Sequence, residues 1–111
     1  MRNCWRLAAS LVLFGAASAA RAEIVIGVSI SGSGPGASLG IPTRNTLDMV
    51  PKTIAGETVR LVILDDASDP ANGTRIVSKV ANEDRADVII GSSVVPVAGA
   101  QAVVATELKV P

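Results

Sequence analysis

Apolar and polar residues follow one another in blocks that predict three strands and three helices after residue 22. The strands are short runs rich in β-branched residues, apolar on both faces: Ile24–Ile30, Thr58–Leu64 and Asp87–Gly91. Each run is followed by a loop of Ser, Gly and Asp and then by an amphipathic stretch. This βαβαβα order predicts an α/β fold in three layers, with helices covering both faces of a parallel sheet.

The three predicted helices are delimited by proline and by capping residues. The first is expected to start at Ser38 or Leu39 and to end or kink at Pro51. Its predicted apolar face consists of three side chains: Leu47, Val50 and Ile54. The second begins at Asp69-Pro70, a favourable pair for the N-cap and first turn, and the third begins near Pro96.

Residues 1–22 have the plan of a secretory signal peptide. Arg2 and Arg6 precede an uncharged apolar stretch, and Ala20-Arg21-Ala22 has the small residues that a signal peptidase accepts. The apolar stretch is shorter than the roughly 20 residues that span a membrane. We therefore expect export and cleavage after Ala22, with cleavage after Ala19 as the alternative.

Composition after residue 22 excludes several kinds of chemistry. The only Cys, Trp and Phe lie in the predicted leader, and the chain has no His or Tyr. Neither a Ser-His or Cys-His nucleophile pair nor a His or Cys metal site can be assembled. Seven basic and ten acidic residues give the remainder a formal charge of −3, without a basic patch for nucleic acid. We predict a binding protein without a cofactor, not an enzyme.

The loops after the three predicted strands share a ligand-binding composition. Residues 31–38, 65–69 and 91–95 consist largely of Ser, Gly and Asp. The carboxyl ends of parallel strands meet at one edge of a sheet, where ligands of such folds bind. Hydroxyls, backbone N–H groups and helix N-termini at this edge suit a carboxylate or another small anion.

Four segments of the chain, in this order, resemble the substrate-binding proteins of branched-chain amino acid ABC transporters. The segments are Ile26-Gly27-Val28, residues 33–40 (SGPGASLG), residues 64–70 (LDDASDP) and residues 89–93 (IIGSS). The resemblance implies a periplasmic receptor of the leucine-binding type, with two α/β lobes of the type I periplasmic-binding fold. Such a receptor binds an amino acid or a related small carboxylate and delivers it to an ABC permease in the inner membrane. Residues 23–111 would form the N-terminal part of its first lobe.

The resemblance carries ligand-binding roles over to four residues of the first and third loops: Ser38, Leu39, Ser92 and Ser93. The serines after Gly91 would hold the ligand carboxylate, although capping of the next helix is an alternative role for them. Relatives usually carry a further Ser or Thr at the positions of Val95 and, approximately, Ala98. The loss of both hydroxyls brings a more apolar carboxylic acid into consideration beside an amino acid.

Two other interpretations of the polar loops stay open. Residues 32–37 fit the dinucleotide fingerprint G-x-G-x-x-A after a strand, with Asp65 or Asp66 as the acid for the ribose. Against it, Pro35 removes an N–H group, and the acid follows after about 30 residues instead of the usual ~20. Asp65, Asp66 and Asp69 also suggest a metal site or a catalytic carboxylate pair, but helix capping and loop solvation are favoured.

The end of the chain at Pro111 predicts a truncated receptor. A fourth strand would begin there, so the third strand is expected to form an apolar edge that invites self-association. A non-functional remnant is therefore the second alternative to a working solute receptor.

Overall fold

The computed structural model describes residues 22–111, so the predicted leader lies outside the described residues except for Ala22. The elements follow in the order β1 (Ile24–Ile30), α1 (Ala37–Leu47), β2 (Thr53–Ile54), β3 (Glu57–Asp65), α2 (Pro70–Asn82), β4 (Val88–Ile90) and α3 (Val95–Leu108). The sheet has the order β2-β3-β1-β4, with β1 parallel to both β3 and β4. The predicted α/β fold with a mostly parallel sheet is confirmed.

The core lies around β1, the central strand, because both of its faces are covered. Val25 and Val28 on β1 are buried, and Val77 and Val80 of α2 are wholly inaccessible to solvent. A Cβ atom on Gly27 would lie 2.8 Å from a methyl group of Val80, so the glycine allows α2 to pack closely on the strand.

The first helix is shorter than predicted. We expected Val50 and Ile54 to continue the apolar face of Leu47, but α1 ends at Leu47 and Ile54 lies in β2, half exposed. Pro51 cannot donate a helical hydrogen bond and disfavours helical backbone at the preceding residue. Ala55 and Gly56 then adopt positive φ angles of 51° and 83°, which turn the chain into an antiparallel hairpin of β2 and β3.

The edge of β4 that faces away from β1 has fewer unpaired backbone groups than predicted. Only β1 pairs with β4 as a strand, but the N–H of Ile89 donates to the carbonyl of Pro111 at 2.8 Å on the other side. The Ile89 N–H that was expected to be unpaired is therefore satisfied. Self-association through this edge stays a prediction.

Within residues 22–111, no helix has both the length and the apolar character needed to cross a membrane.

Candidate functional site

Asp66 lies at the centre of the edge formed by the carboxyl ends of the strands, and none of it is exposed. Its Oδ2 accepts the hydroxyl of Ser29 at 2.8 Å, and its Oδ1 accepts the hydroxyl of Ser31 at 2.6 Å and the N–H of Ser68 at 2.8 Å. Burial opposes ionisation, but these hydrogen bonds, with a contribution from Ser92, outweigh it and lower the pKa of Asp66. Asp66 is therefore a buried anion held by neutral donors.

Ser92 uses its hydroxyl inside the protein. Ser31 has a single hydroxyl proton, which it donates to Asp66, so Ser31 Oγ is the acceptor in its 3.0 Å hydrogen bond with Ser92. Ser92 Oγ in turn accepts the N–H of Val94 at 3.3 Å, and the Ser92 N–H donates to Gln101 Oε1 at 2.8 Å. Ser92 is only 8% exposed, and its hydroxyl proton points away from solvent.

Asp65 organises the glycine loop, residues 31–36. Its Oδ1 accepts the N–H groups of Gly32 at 2.8 Å and Ala67 at 2.9 Å, and its Oδ2 accepts the Ser33 hydroxyl at 2.7 Å. Slight burial opposes ionisation, but these hydrogen bonds, led by that of Ser33, lower the pKa of Asp65. The Gly32 N–H, in the loop of the dinucleotide alternative, is bonded to Asp65 and is not free to bind a pyrophosphate.

The carboxylates of the Asp-Asp-x-x-Asp-Pro segment are engaged by the protein. Asp69 Oδ1 accepts the N–H of Ala71 at 3.1 Å and caps α2, as predicted. Asp66, by contrast, is buried, so loop solvation was the wrong description of its role. In the described part of the chain, no group of three or more His, Cys, Asp or Glu side chains is arranged to hold a metal ion.

The glycine loop contacts the loop between β4 and α3. Gly36 and Val94 are the N-cap residues of α1 and α3, and a Cβ on Gly36 would lie 2.5 Å from Val94 Cγ2. The Gly36 N–H donates to Ser68 Oγ at 2.9 Å. The N-termini of α1 and α3 therefore meet above the carboxyl ends of β1 and β4. Here the direction of the chain across the sheet reverses, because α1 leads from β1 to β3 on one side and α2 leads from β3 back to β4 on the other. Ligands of open α/β sheets bind at such a switch point.

The two converging helices differ from α2 in their caps. Neither α1 nor α3 has a side-chain cap, and valine is among the least favourable residues at an N-cap. Within residues 22–111, the N–H groups of Ser38 and Val95, which are exposed residues, donate to no acceptor of the protein. A helix N-terminus is equivalent to roughly half a positive charge, so two of them in contact attract an anion.

The fold brings all four predicted ligand-binding residues to this edge. Ser38 and Leu39 occupy the first turn of α1 and are exposed, as is Ser93 in the loop before α3. Ser92 differs because it is buried. Val95, in the first turn of α3, is 81% exposed and adds an apolar side chain to the same edge.

The residues that the sequence analysis missed are the buried polar ones beneath the loops. Ser29, Ser31 and Gln101 are 2%, 1% and 3% exposed, and all three take part in this network. Ser29 lies in β1 and Ser31 directly follows the strand, and the hydroxyls of both donate to Asp66. Two serines at alternate positions, at and just after the end of an apolar strand, were the available signal.

The larger surface grooves lie elsewhere. One of about 510 Å³ runs between residues 47–52 and β3, and another of about 540 Å³ runs between α2 and α3. Neither is lined by the glycine loop or by residues 91–95. We place the candidate site at the helix N-termini, because hydrogen-bond donors without partners converge there.

The sequence and fold of the chain are similar to those of known binding proteins. The family described as periplasmic binding protein matches residues 23–111. An extracellular ligand-binding receptor from Rhodopseudomonas palustris HaA2 is 46% identical, with a TM-score of 0.78 over 81% of this chain and 25% of that one. A leucine binding protein from Thermotoga maritima MSB8 is 25% identical, with a TM-score of 0.73 over 79% of this chain and 26% of that one.

A third structure is a solute binding protein of an ABC transporter from Rhodopseudomonas palustris BisB5, in complex with 3,4-dihydroxybenzoic acid. It is 29% identical, with a TM-score of 0.70 over 80% of this chain and 26% of that one. No curated protein matches the sequence.

The chain thus spans about a quarter of the length of these solved structures. The predicted resemblance is confirmed at the level of the family, and with it the prediction of a binding protein instead of an enzyme. The match over residues 23–111 shows that this chain belongs to the periplasmic binding protein family.

Proposed function

We propose that this chain is part of the solute-binding protein of an ABC importer, which binds a small carboxylate in the periplasm and delivers it to an inner-membrane permease. The ligand is an amino acid or a related carboxylic acid. One observation carries the proposal: the N-termini of α1 and α3 meet at the switch point of the sheet, and neither has a side-chain cap.

The ligand carboxylate lies between these two N-termini in our proposal. The N–H groups of Ser38 and Val95 supply hydrogen bonds to it, and the exposed hydroxyl of Ser93 adds another donor. Leu39, which is 52% exposed, contacts the apolar body of the ligand. Ser92 has a supporting role, because its hydroxyl proton is directed to Ser31.

Two similar receptors indicate the class of ligand. One is described as a leucine binding protein and another holds 3,4-dihydroxybenzoic acid. The two molecules share a carboxylate on a hydrocarbon framework, but leucine carries an ammonium group and 3,4-dihydroxybenzoic acid carries two phenolic hydroxyls. Exposed Val95, in place of the usual hydroxyl residue, supports an apolar acid as well as an amino acid.

A titration followed by NMR tests this function. The ¹⁵N-labelled chain is titrated separately with leucine and with 3,4-dihydroxybenzoate. We expect at least one of them to shift the amide resonances of Ser38, Ser93 and Val95. Binding of neither probe, or shifts confined to the groove between β3 and residues 47–52, would contradict the proposal.

Substitution of the N-cap of α3 sharpens the test. Val94→Asp places a carboxylate where the ligand carboxylate is proposed to bind, whereas Val94→Asn supplies a neutral cap of nearly the same shape. We expect the aspartate variant to bind the probe at least tenfold more weakly than the asparagine variant. Equal Kd values for the two variants would argue against a bound anion at this helix.

A further inference from the structure

The proposed binding residues do not explain why a charged group is buried beneath them. Asp66 is fully buried and lies below the loops, where no ligand reaches it. Two series of hydrogen bonds start at its carboxylate, and each ends at the N-cap residue of one uncapped helix.

The first series leads to α3. Asp66 Oδ1 accepts the Ser31 hydroxyl, Ser31 Oγ accepts the Ser92 hydroxyl, and Ser92 Oγ accepts the N–H of Val94, at 2.6, 3.0 and 3.3 Å. The direction of every proton follows from the first bond, because an ionised carboxylate only accepts. Val94 is thereby connected, through three hydrogen bonds, to a charge that is 28 positions away in the sequence.

The second series leads to α1. Asp66 Oδ1 also accepts the N–H of Ser68 at 2.8 Å, and Ser68 Oγ accepts the N–H of Gly36 at 2.9 Å. The Ser68 hydroxyl then donates to the carbonyl of Ser33 at 3.0 Å, which fixes its direction as well. Each donor in this series therefore has one partner and one orientation.

We propose that Asp66 is a positioning residue of the carboxylate site, which holds the N-termini of α1 and α3 at one spacing through Ser68 on one side and Ser31 and Ser92 on the other. That this spacing serves a ligand carboxylate rests on the proposed function. The hydrogen bonds of the network join protein groups only.

The negative charge of Asp66 is essential to this role. In Asp66→Asn, an NH₂ group replaces one of the two carboxylate oxygens. Ser29 or Ser31, which now donates its hydroxyl proton to an acceptor, then faces a second donor. Among the neighbouring groups, β1 contributes Ser29, the loop after β1 contributes Ser31, and the loop before α3 contributes Ser92, all of them neutral. The nearest acidic side chain in sequence, Asp65, is directed to the glycine loop.

Amide hydrogen exchange at neutral pH tests the inference. Asp66→Asn changes neither Gly36 nor Val94 directly, yet we expect exchange at both amides to accelerate at least tenfold. Asp69→Asn is the matched control, because asparagine still caps α2 and Asp69 lies outside both series. It should leave both exchange rates unchanged. Unchanged exchange at Gly36 and Val94 in Asp66→Asn would overturn the inference.

An acid titration of the unsubstituted chain gives a second measurement if Asp66→Asn does not fold. The Asp66 carboxyl carbon and the amide resonances of Gly36 and Val94 should share one midpoint, below the ordinary value of 3.8 for an aspartate. Amides that do not follow the Asp66 carboxyl carbon would overturn the inference. Both measurements are made without a ligand, so their outcome is separate from that of the leucine and dihydroxybenzoate titrations.

Discussion

The two edges of the sheet are both polar, but they hold their charges in opposite ways. At the carboxyl edge, the single charge of Asp66 is buried and receives only neutral donors. At the opposite edge, formed by the amino ends of the parallel strands, Arg60 and Lys79 form ion pairs of 3.1 to 3.9 Å with three acidic side chains: Glu23, Glu83 and Asp84. The side chains of Arg60 and Lys79 are 41% and 46% exposed.

The difference shows which edge determines the geometry of the site. Exposed ion pairs are screened by water and salt, and each contributes little to stability. A buried carboxylate that is removed leaves its donors without water or protein partners, which costs much more. We therefore expect substitutions at the carboxyl edge to have the larger effects, and the predictions below follow in order of decreasing size.

Asp66→Ala is expected to have the largest effect. It leaves three donors buried without an acceptor, and we expect the free energy of unfolding to fall by roughly 3 kcal/mol. Urea unfolding followed by circular dichroism measures the change. Asp65→Ala is the control, because that carboxylate is exposed and its donors can bind water instead. Equal losses in the two variants would contradict the contrast between buried and exposed carboxylates.

Gly40→Ala should have the next largest effect. A Cβ at this position would lie 2.0 Å from the Ser31 carbonyl oxygen, so the first turns of α1 must move away from β1. We expect a loss of about 1–3 kcal/mol. Gly99→Ala is the matched control in α3, where nothing lies within 4 Å. It should stabilise the protein by about 0.5–1 kcal/mol, and a loss in the control would refute this explanation.

Asp69→Ala removes the only side-chain cap among the three helices of residues 22–111. We expect a loss of about 1 kcal/mol, while Asp69→Asn, which keeps an acceptor, should be nearly neutral. Thermal unfolding of both variants measures the difference. A similar loss in both would mean that the charge of Asp69, and not its hydrogen bond to Ala71, stabilises α2.

Arg60→Met tests the opposite edge and should have the smallest effect. The ion pair of Arg60 with Glu23 is exposed, and its pair with the part-buried Asp84 is long at 3.9 Å, so we expect a loss of about 0.2–1 kcal/mol that shrinks further in 0.5 M NaCl. Urea unfolding at low and high salt measures it. A loss as large as that of Asp66→Ala would invert the proposed order of the two edges.

Much of this architecture could be predicted from the sequence. β-Branched runs predicted β1, β3 and β4, and Asp69-Pro70 predicted the start of α2, because these signals are local. The end of α1 was missed, because the positive φ angles of Ala55 and Gly56 place Ile54 in a hairpin. A non-glycine residue in such a turn gives little warning in the sequence.

The candidate site was only partly predictable, since the loops were visible in the sequence but burial was not. Ser92 and Ser93 are adjacent and chemically identical, yet one is buried and the other exposed. The difference arises because Ser92 meets Ser31 and Gln101, which are distant in the chain. Contacts of this kind depend on the assembled sheet and cannot be derived from local pattern.

The most direct test of the account compares a carboxylate with its uncharged carboxamide. The ¹⁵N-labelled chain is titrated with 3,4-dihydroxybenzoate and 3,4-dihydroxybenzamide, and with leucine and leucinamide. If an anion binds between α1 and α3, the amides of Ser38 and Val95 shift with at least one carboxylate and not with its carboxamide. Equal shifts with both members of each pair, or none at these amides, would contradict a carboxylate site at the two helix N-termini.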